Sequence, residues 1–482
     1  MNNAKLDAAI LSLSLDRGSK TPLQSQLLQS LRDLVHAGRL VPGGRLPSSR
    51  SLAQELGVSR VTTTAVYDQL IAEGYLESRQ RSSVYVSANL PDAPIRTRKL
   101  NIERQGETLP GNQPVQPFSF GYPDLAAFPY RDWTRINDRV WRAPAKSILG
   151  QSHPMGFGPL RSAVASHLRE WRGIECTGHQ VVITSGLVDA LELISDAILT
   201  KPSNFIIEEP GHRILSDALT ASGMTCIPVP VDQYGFNLAA ADVDHHRPVA
   251  VAVTPSRQHP LGMTLTFARR LELLDWAKNN DGLILEDDYD GEFRYQGQPL
   301  PAMMSLDEGQ SVIYIGSFSK VMFPGLRLGY MVLPDNMLSA VADALVLRGP
   351  RAAVIAQPVL DEFIRSGALA THIRRMRRLY SERQSALLAA LDAHASGLLN
   401  ARSEPGGMHL VAGLAPRLAA KMTDENISRL AQSIGVKVTP LSSFYFASPA
   451  RQGLVMGYAA FEPHEITQNV QRLSQALRER VQ

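Results

Sequence analysis

A two-part α/β chain is predicted: a small helix-turn-helix head with a two-stranded wing, then a large domain on a mostly parallel sheet. Three observations lead there. Residues 20–87 hold three short amphipathic segments with clear start and stop signals, followed by two brief β-branched runs. A proline- and arginine-rich stretch comes next. From about Phe118 onward, short apolar runs without alternation recur between segments of helical spacing, as strands covered on both faces require.

The head can be traced element by element. Pro22 to Ala37 carries Leu23, Leu27, Leu31, Leu34 and Val35 at helical spacing, with Gly38 as the stop. Ser48 is placed to cap a short helix burying Leu52, Ala53 and Leu56, and Gly57 ends it. Ser59 caps the next helix, with an expected apolar face of Ala65, Val66, Leu70 and Ile71 and a stop at Gly74. Its first turn, Ser59-Arg60-Val61-Thr62-Thr63-Thr64, offers short polar groups and an arginine where a recognition helix meets DNA. Strands around Tyr75-Leu76-Glu77 and Val84-Tyr85-Val86 flank the basic tip Arg79-Gln80-Arg81-Ser82.

Residues 88–116 read as a linker, with Pro91, Pro94, Pro110, Gly111 and Pro114 among Arg96, Arg98, Lys99 and Arg104. The large domain then spans 117–480. Its strands are expected at Val181–Ile183, Asn204–Ile207, Val249–Val253, Leu283–Leu285 and Val312–Ile315. Helices at Arg161–Trp171, Leu187–Leu199 and Ala268–Lys278 lie between them, so ligands belong at strand C-terminal ends.

With 482 residues, 44% hydrophobic and 20% charged, the chain has the composition of an ordinary soluble protein of two or three domains. No apolar run approaches the roughly 18 residues of a membrane span, and residues 1–20 show no signal-peptide pattern. Only Cys176 and Cys226 occur, outside any CxxC, which argues against a disulfide framework or a metal site and fits the cytoplasm. Residues 1–88 hold ten of the 49 Lys/Arg and seven of the 46 Asp/Glu, so the net +3 sits there and the remaining 39 of each sign cancel. That excess is compatible with a nucleic-acid partner.

The run Ser317-Phe318-Ser319-Lys320-Val321-Met322-Phe323-Pro324-Gly325-Leu326-Arg327 follows the last of these strands. A lysine between small hydroxyls, with an arginine seven positions on, suits a phosphorylated aldehyde cofactor: lysine forms the imine, hydroxyls and arginine hold the phosphate. Thr184-Ser185-Gly186 opens a helix after another strand and offers backbone N–H groups to a phosphate. Glu286-Asp287-Asp288-Tyr289-Asp290 ends a third strand. Alone, such an acidic cluster reads as a metal site or a solvated turn; beside Lys320 and Arg327, Asp287 suits a protonated ring nitrogen and Tyr289 a ring oxygen.

The run Leu40-Val41-Pro42-Gly43-Gly44-Arg45-Leu46-Pro47-Ser48-Ser49-Arg50, then Leu52-Ala53, Leu56-Gly57-Val58-Ser59-Arg60, Tyr67, Leu70 and Gly74-Tyr75-Leu76, resembles the GntR family of bacterial DNA-binding domains. Ser83 departs from the family's wing glycine. The resemblance implies contacts to phosphate or guanine from Arg50 and Arg60, with Ser59, Thr62 and Thr63 nearby. Arg45, Ser48, Arg79 and Arg81 complete the DNA-binding candidates. Residues 118–480 resemble fold-type I, aminotransferase-like enzymes that use pyridoxal 5'-phosphate, which implies a smaller C-terminal α+β subdomain and an internal aldimine at Lys320. It also implies a ring-nitrogen contact from Asp287, an O3' contact from Tyr289, and phosphate contacts from Ser185, Gly186, Leu187, Ser317, Ser319 and Arg327. His212 and Gln258 join the cofactor-binding candidates.

Together the two parts resemble the MocR/GabR-type regulators. That implies a DNA-binding homodimer that responds to pyridoxal phosphate, an amine or an amino acid; the alternative is an active aminotransferase with a DNA-binding head. Departures bear on the choice. Val188, His212, Arg257 and His259 stand where the family has other residues, and Val455 stands where aminotransferases place a carboxylate-binding arginine. Weak or absent transamination is expected, with Arg257 or Arg213 as substitutes on another wall.

Overall fold

The structure, a computed structural model, describes residues 13–79, 83–90, 115–144, 146–150, 153–297, 300–307, 311–447 and 451–481. The chain divides into two compact units, Met1–Asn112 and Gln113–Gln482. Most of the expected linker (residues 91–114) and Arg81 lie outside the described residues.

In the first unit, α1 (Leu23–His36), α2 (Ser49–Leu56) and α3 (Arg60–Ala72) precede β1 (Leu76–Arg79) and β2 (Ser83–Val86). Ser48 Oγ accepts from Ser51 N and Ser59 Oγ accepts from Thr62 N, both at 3.1 Å, so each short helix starts on a serine cap. Gly57, at φ +62, ends α2 in the left-handed conformation that a side chain would disfavour. A three-residue turn therefore separates α2 from α3, and an antiparallel hairpin pairing Leu76 with Val86 forms the wing. Leu27, Leu31, Leu52, Val66, Leu70, Leu76 and Val86 make one core.

One expectation for α3 needs rotating. Its buried residues are Thr63, Val66, Tyr67 and Leu70, whereas Ala65 and Ile71 are not fully buried. The observed set follows i, i+3, i+4, i+7 and turns the face towards α2, where Thr63 Oγ1 donates to Ser49 O at 2.8 Å.

In the second unit, α4 (Tyr130–Arg142) and α5 (Gly158–Arg172) precede β3 (Val181–Thr184). Then come α6 (Leu187–Ala197), β4 (Asn204–Glu209), α7 (Arg213–Ala221), β5 (Thr225–Asp232), β6 (Gly235–Phe236), β7 (Ala250–Val253), α8 (Phe267–Asn280), β8 (Leu283–Asp288), β9 (Val312–Ser317) and β10 (Gly329–Val332). The sheet order is β3-β10-β9-β8-β7-β4-β5-β6. Strands β9, β8, β7, β4 and β5 pair in parallel, while β10 runs antiparallel to both neighbours. Successive strand residues feed opposite layers: Val251, Ile284, Val312 and Tyr314 join one core, and Ala250, Leu285, Ile313 and Ile315 the other. Both faces are covered, which is why these strands carry no polar alternation.

Helices α9 (Leu338–Arg348), α10 (Gln357–Arg365) and α11 (Ala368–Ala395) lead to a smaller antiparallel sheet. Its strands β11 (Leu399–Asn400), β12 (His409–Leu414), β13 (Thr439–Pro440) and β14 (Gly453–Gly457) take the order β11-β12-β14-β13, accompanied by α12 (Asp424–Ser433) and α13 (Pro463–Val481). No described helix is long and apolar enough to cross a membrane.

Candidate functional site

The parallel strands deliver their polar ends to one edge of the large sheet. At the end of β9, Lys320 sits in a single helical turn, Phe318–Val321. Its Nζ donates to Gly121 O at 2.9 Å, and a Cβ on Gly121 would stand 2.8 Å from that nitrogen. Gly121 (φ +80) is thus required twice, for its backbone conformation and for the amine's space. Burial lowers the Lys320 ammonium below the ordinary lysine range, against the pull of Asp290 and Asp287. A larger neutral fraction is what a nucleophilic lysine needs.

On the adjacent β8, register sets Asp287 opposite Ile315 and Asp288 opposite Gly316. Strand alternation then sends the two aspartates to opposite faces. Asp288 receives Arg172 at 2.6 Å and the Tyr314 hydroxyl at 2.6 Å. Asp287 is buried and its Oδ2 has no hydrogen-bond partner among the described residues. Burial pushes its carboxyl up to about 7, helped by Asp288, Glu208 and Asp290 and opposed by Lys320. An orphaned carboxylate oxygen at this depth fits a cationic ring N–H.

That shift fixes a pH dependence. Because the Asp287 pKa is raised from 3.8 to about 7, the cofactor-free fold holds a proton that the unfolded chain has released. Its contribution to stability is present below pH 3.8 and is lost as pH rises through 7. Cofactor-free Asp287→Asn, which has nothing to ionise there, is expected to gain on wild type as pH rises from about 5 to about 8, by ~1.4 kcal/mol per pH unit at most. Denaturant melts of both proteins across that range check the slope; parallel curves would refute it.

The phosphate candidates converge through β10. Gly329 pairs with Ser317 of β9 on one side and Thr184 of β3 on the other, so Ser185 and Gly186 come alongside the Lys320 turn. A side chain on Gly329 would press on Gly316 O at 3.0 Å and Gly186 Cα at 3.2 Å. Gly186 precedes α6 at φ +116, Leu187 starts the helix, and Ser185 N donates to Asp189 Oδ2 at 2.8 Å. Arg327 is exposed, and it shares with Ser185 an open groove of about 730 Å³ walled by Trp133, Trp141, Phe323 and Ile355. Ser317 and Ser319 are half-buried on either side of Phe318.

Tyr289 accepts from Arg257 Nη1 at 3.0 Å, and Arg257 also reaches Asp290 at 3.4 Å and His409 O at 2.5 Å. Burial works against the Arg257 charge, yet Tyr289 and Asp290 outweigh it and keep the guanidinium protonated. His259 is the centre of a ring cluster, with His212 at 4.7 Å, Tyr289 and Phe444 at 5.3 Å, His409 at 5.9 Å and Phe120 at 6.1 Å. Burial depresses all three imidazoles, His212 to about 4, and Lys320 adds to the effect. They are neutral at physiological pH. His212 Nδ1 caps α7 by accepting from Leu215 N. The Gln258 side chain is taken up by backbone, donating to Pro210 O and His259 O and accepting from Leu261 N.

Gly121, Phe120, His409 and Phe444 were not singled out from sequence. Each lies far along the chain from the strand ends, and for Gly121 the acting group is a carbonyl that every residue carries. Among the described residues, no His, Cys, Asp or Glu cluster has the arrangement of a metal site.

In the head, Arg45, Ser48, Arg50, Ser59, Arg60, Thr62 and Arg79 are placed as the burial pattern of a surface requires, with Thr62 and the two arginines of the helix starts outside the core. Arg50 and Arg60 stand in the first turns of α2 and α3, where unpaired N–H groups point outward. Thr63 is fully buried and is not brought to that surface. Arg79 is paired with Glu77 and lies over the Tyr85 ring at 5.0 Å.

Comparison with known proteins accounts for both units. Residues 23–86 match the model of bacterial regulatory proteins of the gntR family, and residues 128–473 match aminotransferase class I and II. The chain is 36% identical over 479 residues to the probable rhizopine catabolism regulatory protein MocR of Rhizobium meliloti, covering 96% of this chain and 95% of that one. The chain belongs to the MocR-type family of transcriptional regulators. It is also 32% identical to the pyridoxine biosynthesis regulator PdxR of Corynebacterium glutamicum, over 97% of this chain and 99% of the relative. Among solved structures, the α-aminoadipate aminotransferase LysN of Thermus thermophilus, complexed with N-(5'-phosphopyridoxyl)-L-leucine, aligns with a TM-score of 0.68 and 27% identity. The alignment covers 76% of this chain and 92% of that one. This chain thus joins a GntR head to a class I and II aminotransferase domain, and solved structures of that fold hold pyridoxal phosphate derivatives, LysN among them.

Proposed function

We propose that this MocR-type chain is a cytoplasmic homodimer that binds double-stranded DNA through residues 20–87 and holds pyridoxal 5'-phosphate on Lys320 within residues 117–480. Residues 88–116 link the two parts. Its DNA binding responds to pyridoxal phosphate itself, or to an amine or amino acid that competes with Lys320. The observation that carries this reading is a half-buried Lys320 amine of depressed basicity just beyond β9 together with the orphaned Asp287 Oδ2 on the adjacent β8.

The cofactor, when bound, supplies an electrophilic carbon that primary amines attack. The protein's residues do the rest. Asp287 offers its unpaired oxygen to the ring nitrogen, and ionises fully once a cation faces it. Tyr289, oriented by Arg257, serves the ring oxygen. Ser185, Gly186, Leu187, Ser317, Ser319 and Arg327 hold the phosphate, His212 and the Gln258-braced turn close the ring face, and Gly121 O fixes the Lys320 amine. Exchange of one amine for another is a differential ligand for two states of the dimer, which is how it shifts DNA binding.

Two-fold symmetry supports recognition of two half-sites. Selecting duplexes from a random pool with the purified chain yields its operator, and footprints with and without pyridoxal phosphate and amines then test the response. A changed pattern is expected; identical footprints throughout would sink the sensing reading. On the selected duplex, Arg60→Ala is expected to weaken binding at least tenfold and, if it contacts phosphate, to lower the salt slope by about 1.

A further inference from the structure

Most polar side chains in the first turn of α3 are taken up by the protein itself. Ser59 Oγ accepts from Thr62 N at 3.1 Å and lies 2.8 Å from Thr62 Oγ1, so the cap and this threonine bond each other. Thr63 is fully buried, with its hydroxyl 2.8 Å from Ser49 O and 3.0 Å from Arg60 O. Arg60, Val61 and Thr64 remain on the outside, all exposed.

Val61 is 78% exposed, and no other large apolar side chain among the described residues of the head is exposed. Single exposed valines are common on protein surfaces, so exposure alone means little and position decides. The buried stripe of α3 is Thr63, Val66, Tyr67 and Leu70. At about 100° of rotation per residue, Val61 falls almost diametrically opposite that stripe, at the outermost edge of the first turn. Further along the same outer face come Thr64 and then Asp68, both exposed. A carboxylate two turns in is repelled by a phosphate backbone, so the helix meets a duplex by its N-terminal end. There the unpaired N–H groups of the helix starts, with Arg50 and Arg60, favour phosphate.

We propose that Val61 reads sequence by packing its methyl groups against the 5-methyl group of a thymine in the major groove. That methyl is the apolar feature a base pair presents there, and a valine can neither donate to nor accept from the polar base edges around it. Contact takes both apolar surfaces out of water, and a cytosine at the same place offers no methyl to cover. The inference rests on the proposed binding of double-stranded DNA by the head and adds the base that one residue selects.

The test uses the full chain and the duplex it enriches from a random pool. Each thymine of that duplex is replaced in turn by deoxyuridine, which keeps the base pair and removes only the methyl. Wild type is expected to lose about fourfold in affinity at one thymine position, the size of burying one methyl group. Val61→Ser, a change at an exposed position in a helix's first turn, is expected to bind thymine and uridine duplexes alike. Selection repeated with Val61→Ser is expected to lose the preference for thymine at that position. Uridine replacement without effect at every position, the same loss in Val61→Ser, or thymine still selected there by the variant would overturn the inference while leaving DNA binding intact. A pool from which wild type enriches no duplex would instead overturn the reading of the head beneath it, and the inference with it.

Discussion

Lys320→Ala is expected to abolish covalent capture of pyridoxal phosphate. Nine lysines occur in the chain, yet Lys320 combines a half-buried position, an acceptor for its N–H at Gly121 O and a depressed ammonium that the Asp287 carboxyl acts on. Removing the amine leaves the proposed phosphate contacts of Ser185, Gly186 and Arg327 and the acid at Asp287, so weak reversible binding is expected to persist. The adduct does not. Borohydride reduction and peptide mass spectrometry are expected to find wild type labelled at Lys320 and the variant unlabelled, a loss of two orders of magnitude or more. Lys320→Arg keeps a cation without a usable nucleophile and is expected to behave like alanine in this assay, which separates charge from chemistry. Equal labelling of another lysine in wild type would remove the basis of the assignment.

The contrast between Lys320 and Gly121 shows what a sequence can disclose about such a site. Lys320 announces itself because its partners are local: the strand before it, the flanking serines and Arg327 lie within one run. The α/β order and sheet class were legible for a related reason, since double burial of β3, β7, β8 and β9 writes itself as unalternating apolar residues. Gly121 acts through its backbone, 199 residues from Lys320, and leaves no side-chain signal. His409 and Phe444 meet His259 only because the smaller sheet folds against the large one. Thr63 marks another limit. As the fourth residue of a polar first turn it reads as exposed, but its spacing to Val66, Tyr67 and Leu70 places it on the inner face, where α2 supplies an acceptor. Periodicity carried that information, and residue polarity masked it.

The largest stability effect is expected on the other side of β8, at the pair that supports Asp287 from behind. Alternation along the strand puts Glu286 and Asp288 on the face away from Asp287. There Glu286 accepts from Met303 N and Met304 N at 2.9 and 3.0 Å, and Asp288 pairs with Arg172. Side-chain exposures of 4% and 1% leave Arg172 and Asp288 no water to fall back on. Asp288→Ala would take the paired acid from the guanidinium, whose other hydrogen bonds among the described residues go to Leu300 O and Ser256 Oγ, and would remove the acceptor of the Tyr314 hydroxyl. Breaking one side of a buried pair costs about 3–5 kcal/mol, whereas replacing both sides with apolar groups of similar volume costs far less. Denaturant melts of cofactor-free protein are therefore expected to show Asp288→Ala strongly destabilised and Arg172→Met with Asp288→Leu recovering most of the loss. Because Asp287 is the next residue on the same strand, the single variant is also expected to bind pyridoxal phosphate more weakly, and the double variant to regain that binding with its stability. A double variant that recovers stability but not binding would mean that the Arg172–Asp288 charges act on the site directly, through their field on Asp287, and not by holding β8 in place.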